Sequence, residues 1–193
     1  RKFASRGAAG AVGEGSVGNR LFTAYRRECD FMLEDGALPQ DIDAALEGYG
    51  FPMGLYAVND MAGLDISWAR RKRNAATRDP SERYVVIADR LCEAGRFGRK
   101  TGKGYYTYEG GEKAVDPEVT ALIEAASRDA GIERRSFSSS EIVERVMTGI
   151  VAEGRKILAE GIALRGSDID LVLINGYGYP AWRGGPMFQA GVE

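Results

Sequence analysis

The sequence predicts an all-α fold, and three observations predict it. Val17, Leu21, Tyr25, Glu28 and Met32 fall three to four positions apart, the spacing of one helix face. Helix start and stop signals recur along the chain: Asp116-Pro117, Ser138 to Glu141, Gly36, Gly131 and Gly161. No glycine-rich segment follows a hydrophobic strand. The 193 residues are 44% hydrophobic and 28% charged, enough for one sizeable core or two small ones.

Residues 1–16 are rich in Gly, Ala and Ser and read as a linker, or the edge of another domain. A long helix is expected over 17–35, stopped by Gly36. Pro39 opens a second helix with Ile42, Ala45, Leu46 and Tyr49 on one face. Gly50 to Gly54 is a tight connector. Helices over 55–62 and 65–73 flank Gly63-Leu64-Asp65, with Asp65 as an N-cap. Residues 71–81 read as an exposed loop and 83–94 as a helix. A basic, glycine-rich stretch, 95–106, runs into an extended segment at 105–108. A further helix runs from Pro117 to Gly131. Ser138 and Glu141 fit a capping box launching a second long helix to about 160. A short helix begins near Ser167, followed by turns over Asn175 to Pro180 and Arg183 to Pro186.

The two halves repeat. Arg20, Glu28 and Gly36 line up with Arg145, Glu153 and Gly161, each 125 positions later. After two inserted residues, Ile42-Asp43 matches Ile169-Asp170, and after one more Gly50-Phe51-Pro52 matches Gly178-Tyr179-Pro180. Repetition at this separation predicts duplication of a helical domain, with copies over 17–110 and 115–193. The Glu28/Glu153 pair reads as capping or bridging between the repeated long helices rather than as catalytic.

The sequence also excludes chemistry. There is no histidine, so a Ser-His-Asp triad, a Cys-His pair and a His-ligated metal are ruled out within it. Two cysteines, Cys29 and Cys92, cannot make a four-thiolate zinc site and read as buried reduced thiols of a cytosol-like compartment. No metal is expected. A net charge of −2 offers no field for nucleic acid or an anionic membrane. No apolar run is long enough to span a bilayer.

Val17-Gly18-Asn19-Arg20-Leu21, Glu34-Asp35-Gly36, Asp41-Ile42-Asp43, Gly50-Phe51-Pro52-Met53-Gly54, Asp60 to Asp65 and Phe97 to Tyr106 together resemble the C-terminal domain of L-3-hydroxyacyl-CoA dehydrogenases. The second copy, with Gly176 to Pro180 and Gly184 to Phe188, resembles the multifunctional fatty-acid oxidation enzymes. The pattern departs in two places: Ser16 stands where the family usually has Phe, and Leu55 where it has Pro. The resemblance implies two tandem copies of a helical domain like the C-terminal domain of 6-phosphogluconate dehydrogenase. It implies NAD, bound mainly by a Rossmann domain upstream that also carries a His-Glu pair, with none bound by this stretch alone. Acyl-CoA is the implied substrate. An enoyl-CoA hydratase domain is implied in the same chain, and a thiolase is a candidate partner.

The resemblance also implies site residues, each with a plainer reading beside it. Asn19 is the implied catalytic residue, its carboxamide bonding the reacting oxygen; from spacing alone it reads as the N-cap of the first long helix. Lys100 is the implied cofactor contact, reaching the NAD ribose; the alternative is a solvated lysine. Phe51, Pro52, Met53 and Tyr179 are candidates for the acyl pocket, against core packing. Tyr177, like Tyr179, could face the same pocket or the first copy, with packing as the favoured reading. Arg96, Arg99 and Lys103 read as solvated charge, with CoA phosphates as the other reading. The expected activity is oxidation of (3S)-3-hydroxyacyl-CoA, with the stretch alone inactive. The alternatives are a non-catalytic helical interaction module and a related hydroxy-acid dehydrogenase. The expected compartment is the bacterial cytoplasm, with the peroxisome as the other reading.

Overall fold

The computed structural model describes residues 16–193. Among these, nine α-helices and four short 3-10 turns account for the regular structure, and strand pairing is limited to isolated bridges between 98 and 114. The helices are α1 (Val17–Asp35), α2 (Pro39–Tyr49), α3 (Leu55–Ala62), α4 (Leu64–Arg73), α5 (Ile87–Glu93), α6 (Pro117–Asp129), α7 (Ser139–Ala159), α8 (Gly166–Tyr177) and α9 (Pro186–Gln189). The all-α expectation holds. The linker expected over 1–16 lies outside the described residues apart from Ser16. None of the described helices is long and apolar enough to cross a membrane.

Packing divides the described residues into two compact units. The larger is 28–144; the smaller takes residues up to 27 together with 145–193. The boundary falls inside α1 and inside α7. Both long helices bury a stripe: Leu21, Tyr25, Cys29 and Met32 on α1, and Ile142, Val146, Ile150 and Ile157 on α7. Cys29 and Cys92 are free thiols and buried.

In the larger unit, the C-terminal end of α1 is covered by donors from far along the chain. Arg134 donates to the carbonyls of Leu33 (3.0 Å) and Ala37 (3.1 Å), Ser127 to that of Glu34 (2.7 Å) and the Arg135 N–H to that of Asp35 (2.9 Å). These bonds satisfy carbonyls that a helix end otherwise leaves unpaired. Arg83 reaches the side chains of Glu34 (3.0 Å) and Asp35 (2.6 Å). Helix α5 starts at Ile87 rather than near 83, and Arg83 lies outside it in this contact with the end of α1.

Three boundaries differ from expectation for physical reasons. The helix after Gly63 begins at Leu64, whose N–H donates to the Phe97 carbonyl at 3.1 Å, so Asp65 is not the cap and its carboxylate binds Lys100 instead. The exposed loop begins only after Arg73, because α4 continues to that residue. The turn expected at Asn175 begins later: α8 runs through Tyr177 and ends on Gly178, whose φ of 71° is the left-handed conformation that glycine adopts cheaply. The capping box is present, with the Glu141 N–H donating to Ser138 Oγ (3.2 Å) and the Ser138 N–H to Glu141 Oε2 (2.8 Å).

One local device occurs in both units. In the larger, the buried Asp43 of α2 accepts from the N–H groups of Tyr56 (2.9 Å) and Ala57 (3.0 Å), at the start of α3. In the smaller, the buried Asp170 of α8 accepts from Met187 (2.8 Å) and Phe188 (2.9 Å), at the start of α9. Each carboxylate thereby satisfies the free donors of the next helix. Each lies against a glycine. A Cβ on Gly54 would fall 2.2 Å from Asp43 Cγ, and one on Gly185 2.1 Å from Asp170 Cγ. Gly48, inside α2, has nothing within 4 Å of such a Cβ. Gly54→Ala is therefore expected to destabilise the protein by about 2 kcal/mol or more, and Gly48→Ala to stabilise it by about 0.5–1 kcal/mol. Urea denaturation of the two variants checks the opposite signs.

Candidate functional site

The first turn of α1 holds the residues on which the resemblance concentrates. Ser16 precedes the helix, and its hydroxyl accepts from the Asn19 N–H at 3.3 Å. Ser16 therefore does the capping, and Asn19 is the third helical residue with an exposed side chain rather than the cap itself. Thr23 donates its hydroxyl to the Asn19 carbonyl at 2.7 Å. Gly18 is buried under the Tyr177 ring, where a Cβ would fall 2.6 Å from the phenol oxygen. Phe22, one turn on, packs on the same ring at 5.5 Å between centroids. The Tyr177 hydroxyl donates to Asn19 Oδ1 at 3.4 Å. Burial raises the phenol pKa, so Tyr177 stays protonated and able to donate.

Arg20 faces α7. Its guanidinium donates to Glu153 (2.7 Å) and Glu160 (3.0 Å), and hydrogen bonds with Glu160 and then Glu153 raise its pKa. The reading of Glu153 as a bridge between the long helices is correct within this unit. Three consecutive residues thus do three different things. Gly18 leaves room for a ring, Asn19 presents an exposed carboxamide, and Arg20 ties a charge to α7.

The other sequence-predicted residues are placed elsewhere. Lys100 is half exposed and pairs with Asp65 at 2.5 Å, beside Gly63; this pairing lowers the Asp65 pKa. Phe51 is buried and stacks on Tyr49 at 6.2 Å, whereas Pro52 and Met53 are exposed. Tyr179 is buried, and its hydroxyl donates to Gln189 at 3.1 Å. Among these, only the connector residues 51–53 are neighbours.

Arg96 corrects the expectation of solvated charge. It is 3% exposed, donates to the Gly104 carbonyl at 2.9 Å, and forms an ion pair with the buried Asp116. It ties the basic stretch to the start of α6, and its charge is not available to a ligand. Arg99 and Lys103 are exposed, as expected, with Arg99 lying over the Tyr108 ring. Among the described residues, no group of three or more His, Cys, Asp or Glu could hold a metal ion.

Comparison with known proteins places the similarity in one family. Residues 15–108 match the family described as 3-hydroxyacyl-CoA dehydrogenase, C-terminal domain. Over that segment, just under half of the chain, the sequence is similar to this family. The peroxisomal bifunctional enzyme of Danio rerio is 43% identical over 93% of this chain and 27% of its own length. The human enzyme of the same name is 40% identical over 91% of this chain and 26% of its own. The chain thus spans about a quarter of the length of these relatives. The crystal structure of the dehydrogenase part of multifunctional enzyme 1 from C. elegans superposes with a TM-score of 0.69 at 29% identity, over 85% of this chain and 37% of that one. The compartment in the animal relatives' names is the peroxisome, not the bacterial cytoplasm expected from the sequence.

Inside this family segment lies a buried polar network that sequence reasoning missed. Asp60 accepts from the N–H groups of Tyr105 (2.8 Å) and Tyr106 (3.0 Å) and from the Tyr108 hydroxyl (2.9 Å). The Tyr106 hydroxyl donates to Asp43 at 2.8 Å, so one tyrosine links both buried carboxylates. The aromatic run over 105–108 is plain in the sequence, but nothing local pairs it with an aspartate some 45 residues away.

Burial pushes the Asp60 carboxyl up to about 6, against the hydrogen bonds it accepts, and raises Asp43 as well. The folded protein therefore binds a proton at Asp60 more tightly than the unfolded chain does. That contribution to stability is fully present below the ordinary aspartate value of 3.8 and is lost as pH rises through about 6. About 2 kcal/mol of stability is expected to disappear from this site between pH 4 and 7. Denaturation midpoints across that range check it, and in Asp60→Asn the fall with pH should be shallower.

Proposed function

We propose that this chain is the helical part of an NAD-dependent (3S)-3-hydroxyacyl-CoA dehydrogenase, and that Asn19 is its contribution to the reacting centre. The observation that carries the reading is the exposed Asn19 carboxamide, held at the first turn of α1 inside the segment that matches the family. A carboxamide N–H can stabilise charge developing on a substrate oxygen without titrating itself. The chain has no histidine, and the proton acceptor is proposed to be the His-Glu pair that the resemblance implies upstream.

The dinucleotide is proposed to be held by another part of the same polypeptide. Among the described residues there is no strand leading into a glycine-rich turn and helix, the arrangement that seats a pyrophosphate. The residues present do not build that site. Lys100 remains the residue proposed to approach the ribose; its ion pair with Asp65 is exposed, and such pairs are weakly held. Phe51, with Pro52 and Met53 exposed beside it, is proposed to border the acyl chain, while the buried Tyr179 serves packing.

Residues 17–110 and 115–193 are proposed to be two copies of one domain. The matched geometry of Asp43 on the start of α3 and Asp170 on the start of α9 supports this, since the same residue solves the same packing problem in each. The names of the relatives support a multifunctional enzyme of fatty-acid β-oxidation and a peroxisomal setting over a bacterial cytoplasmic one; a hydratase in the same chain rests on the sequence resemblance alone. Association with a thiolase rests on the sequence resemblance alone. A non-catalytic helical module is the competing reading, and it predicts no dependence of turnover on Asn19.

The test is NADH formation from 3-hydroxybutyryl-CoA. The 193-residue chain alone is expected to give none. The longer polypeptide that contains it is expected to turn over, and Asn19→Ala within it to lower kcat by about 100-fold or more. Full activity of the Asn19→Ala enzyme, or turnover by the isolated chain, overturns the reading.

A further inference from the structure

We infer that Tyr177 is a positioning residue for Asn19: its phenol fixes which end of the carboxamide is presented to the substrate oxygen. The inference rests on the proposed role of Asn19 and adds a residue from the opposite end of the chain.

A carboxamide has two branches of nearly equal size and opposite chemistry. Rotation by half a turn exchanges a donor for an acceptor. With the NH2 branch toward the substrate, Asn19 stabilises a developing oxyanion; with the oxygen there, it repels one. Selection between the two needs a fixed neighbour. The Tyr177 hydroxyl lies 3.4 Å from Oδ1 and donates to it, so the oxygen branch is the one turned to the phenol.

The phenol is itself held in place. Its ring sits on Gly18, where any side chain would collide with it, and packs against Phe22 at 5.5 Å. Tyr177 is the last residue of α8, and Gly178 ends that helix at once. The bond is long, as hydrogen bonds at reacting centres often are before substrate binds. The requirement for glycine at 18 is thus a consequence of the ring, and the ring is what brings the hydroxyl to Asn19.

The experiment uses the longer dehydrogenase polypeptide and the substitution Tyr177→Phe, which removes the hydroxyl and keeps the ring. The expected result is a fall in kcat of about tenfold, the loss of one ordinary hydrogen bond, with KM for 3-hydroxybutyryl-CoA within about twofold and an unchanged thermal midpoint. In an Asn19→Ala background, Tyr177→Phe is expected to change nothing further, because its effect passes through Asn19. Wild-type kcat in Tyr177→Phe overturns the inference while Asn19 keeps its role. Losses that multiply in the double variant, or a lowered midpoint that accounts for the loss, overturn it too, since both mark a structural role independent of Asn19. If Asn19→Ala itself retains full activity, it is the functional reading that fails.

Discussion

A carboxylate buried against backbone N–H groups is the interaction on which the larger unit depends. Asp43 is out of contact with water and carries three hydrogen bonds, two from the first turn of α3 and one from Tyr106. Burying a carboxylate is costly unless its oxygens are satisfied. Here they accept from the donors that a helix start leaves free, which offsets part of the cost while burial still raises the Asp43 pKa. The consequence is geometric. Where α3 starts against α2 a Cβ would collide with Asp43, which is why Gly54 stands there. Tyr106 then passes the constraint on, since its hydroxyl is on Asp43 and its N–H on Asp60. The basic, glycine-rich stretch is anchored from the other direction by Arg96, through Gly104 and Asp116. A segment with almost no regular structure is thereby tied down at both ends.

This explains what is and is not legible in the sequence. Helices α1, α2, α3, α6 and α7 are legible because their determinants are local: a periodic apolar face, a capping box, Asp-Pro, a stopping glycine. The start of α5 is not: Arg83 stands before the helix, and its side chain is engaged with Glu34 and Asp35, partners about 50 residues away. Asp65 illustrates the same limit. It has the chemistry of an N-cap, but the Phe97 carbonyl takes the first N–H of α4 and leaves Asp65 for Lys100. Local chemistry nominates a partner, and tertiary contacts decide which partner is kept. Arg96 looks solvated in sequence for the same reason, since nothing near it announces the buried Asp116.

At the candidate site the division runs along similar lines. A motif leads to Asn19, and the sequence offers a second role for it, as a cap. The structure separates the two roles by giving the cap to Ser16. Gly18 belongs to the motif with no local reason for being there, and Tyr177 by itself suggests only packing. Both become intelligible together, because the ring fills the space that the glycine leaves. Their separation of about 160 positions puts this relation beyond any local reading.

That separation bears on why a chain would carry a second helical half. In the role proposed for Asn19 only one orientation of the carboxamide is productive, and loss of that orientation costs rate. The Thr23 hydroxyl, on the same helix, is bonded to the Asn19 backbone carbonyl and not to the carboxamide. The contact to the carboxamide comes instead from α8, whose own position is set by Asp170 and by Gly178. The second half then serves the first by more than packing. In the proposed arrangement it contributes the phenol that orients Asn19, on a helix tied down by the same buried-aspartate device that joins α2 to α3.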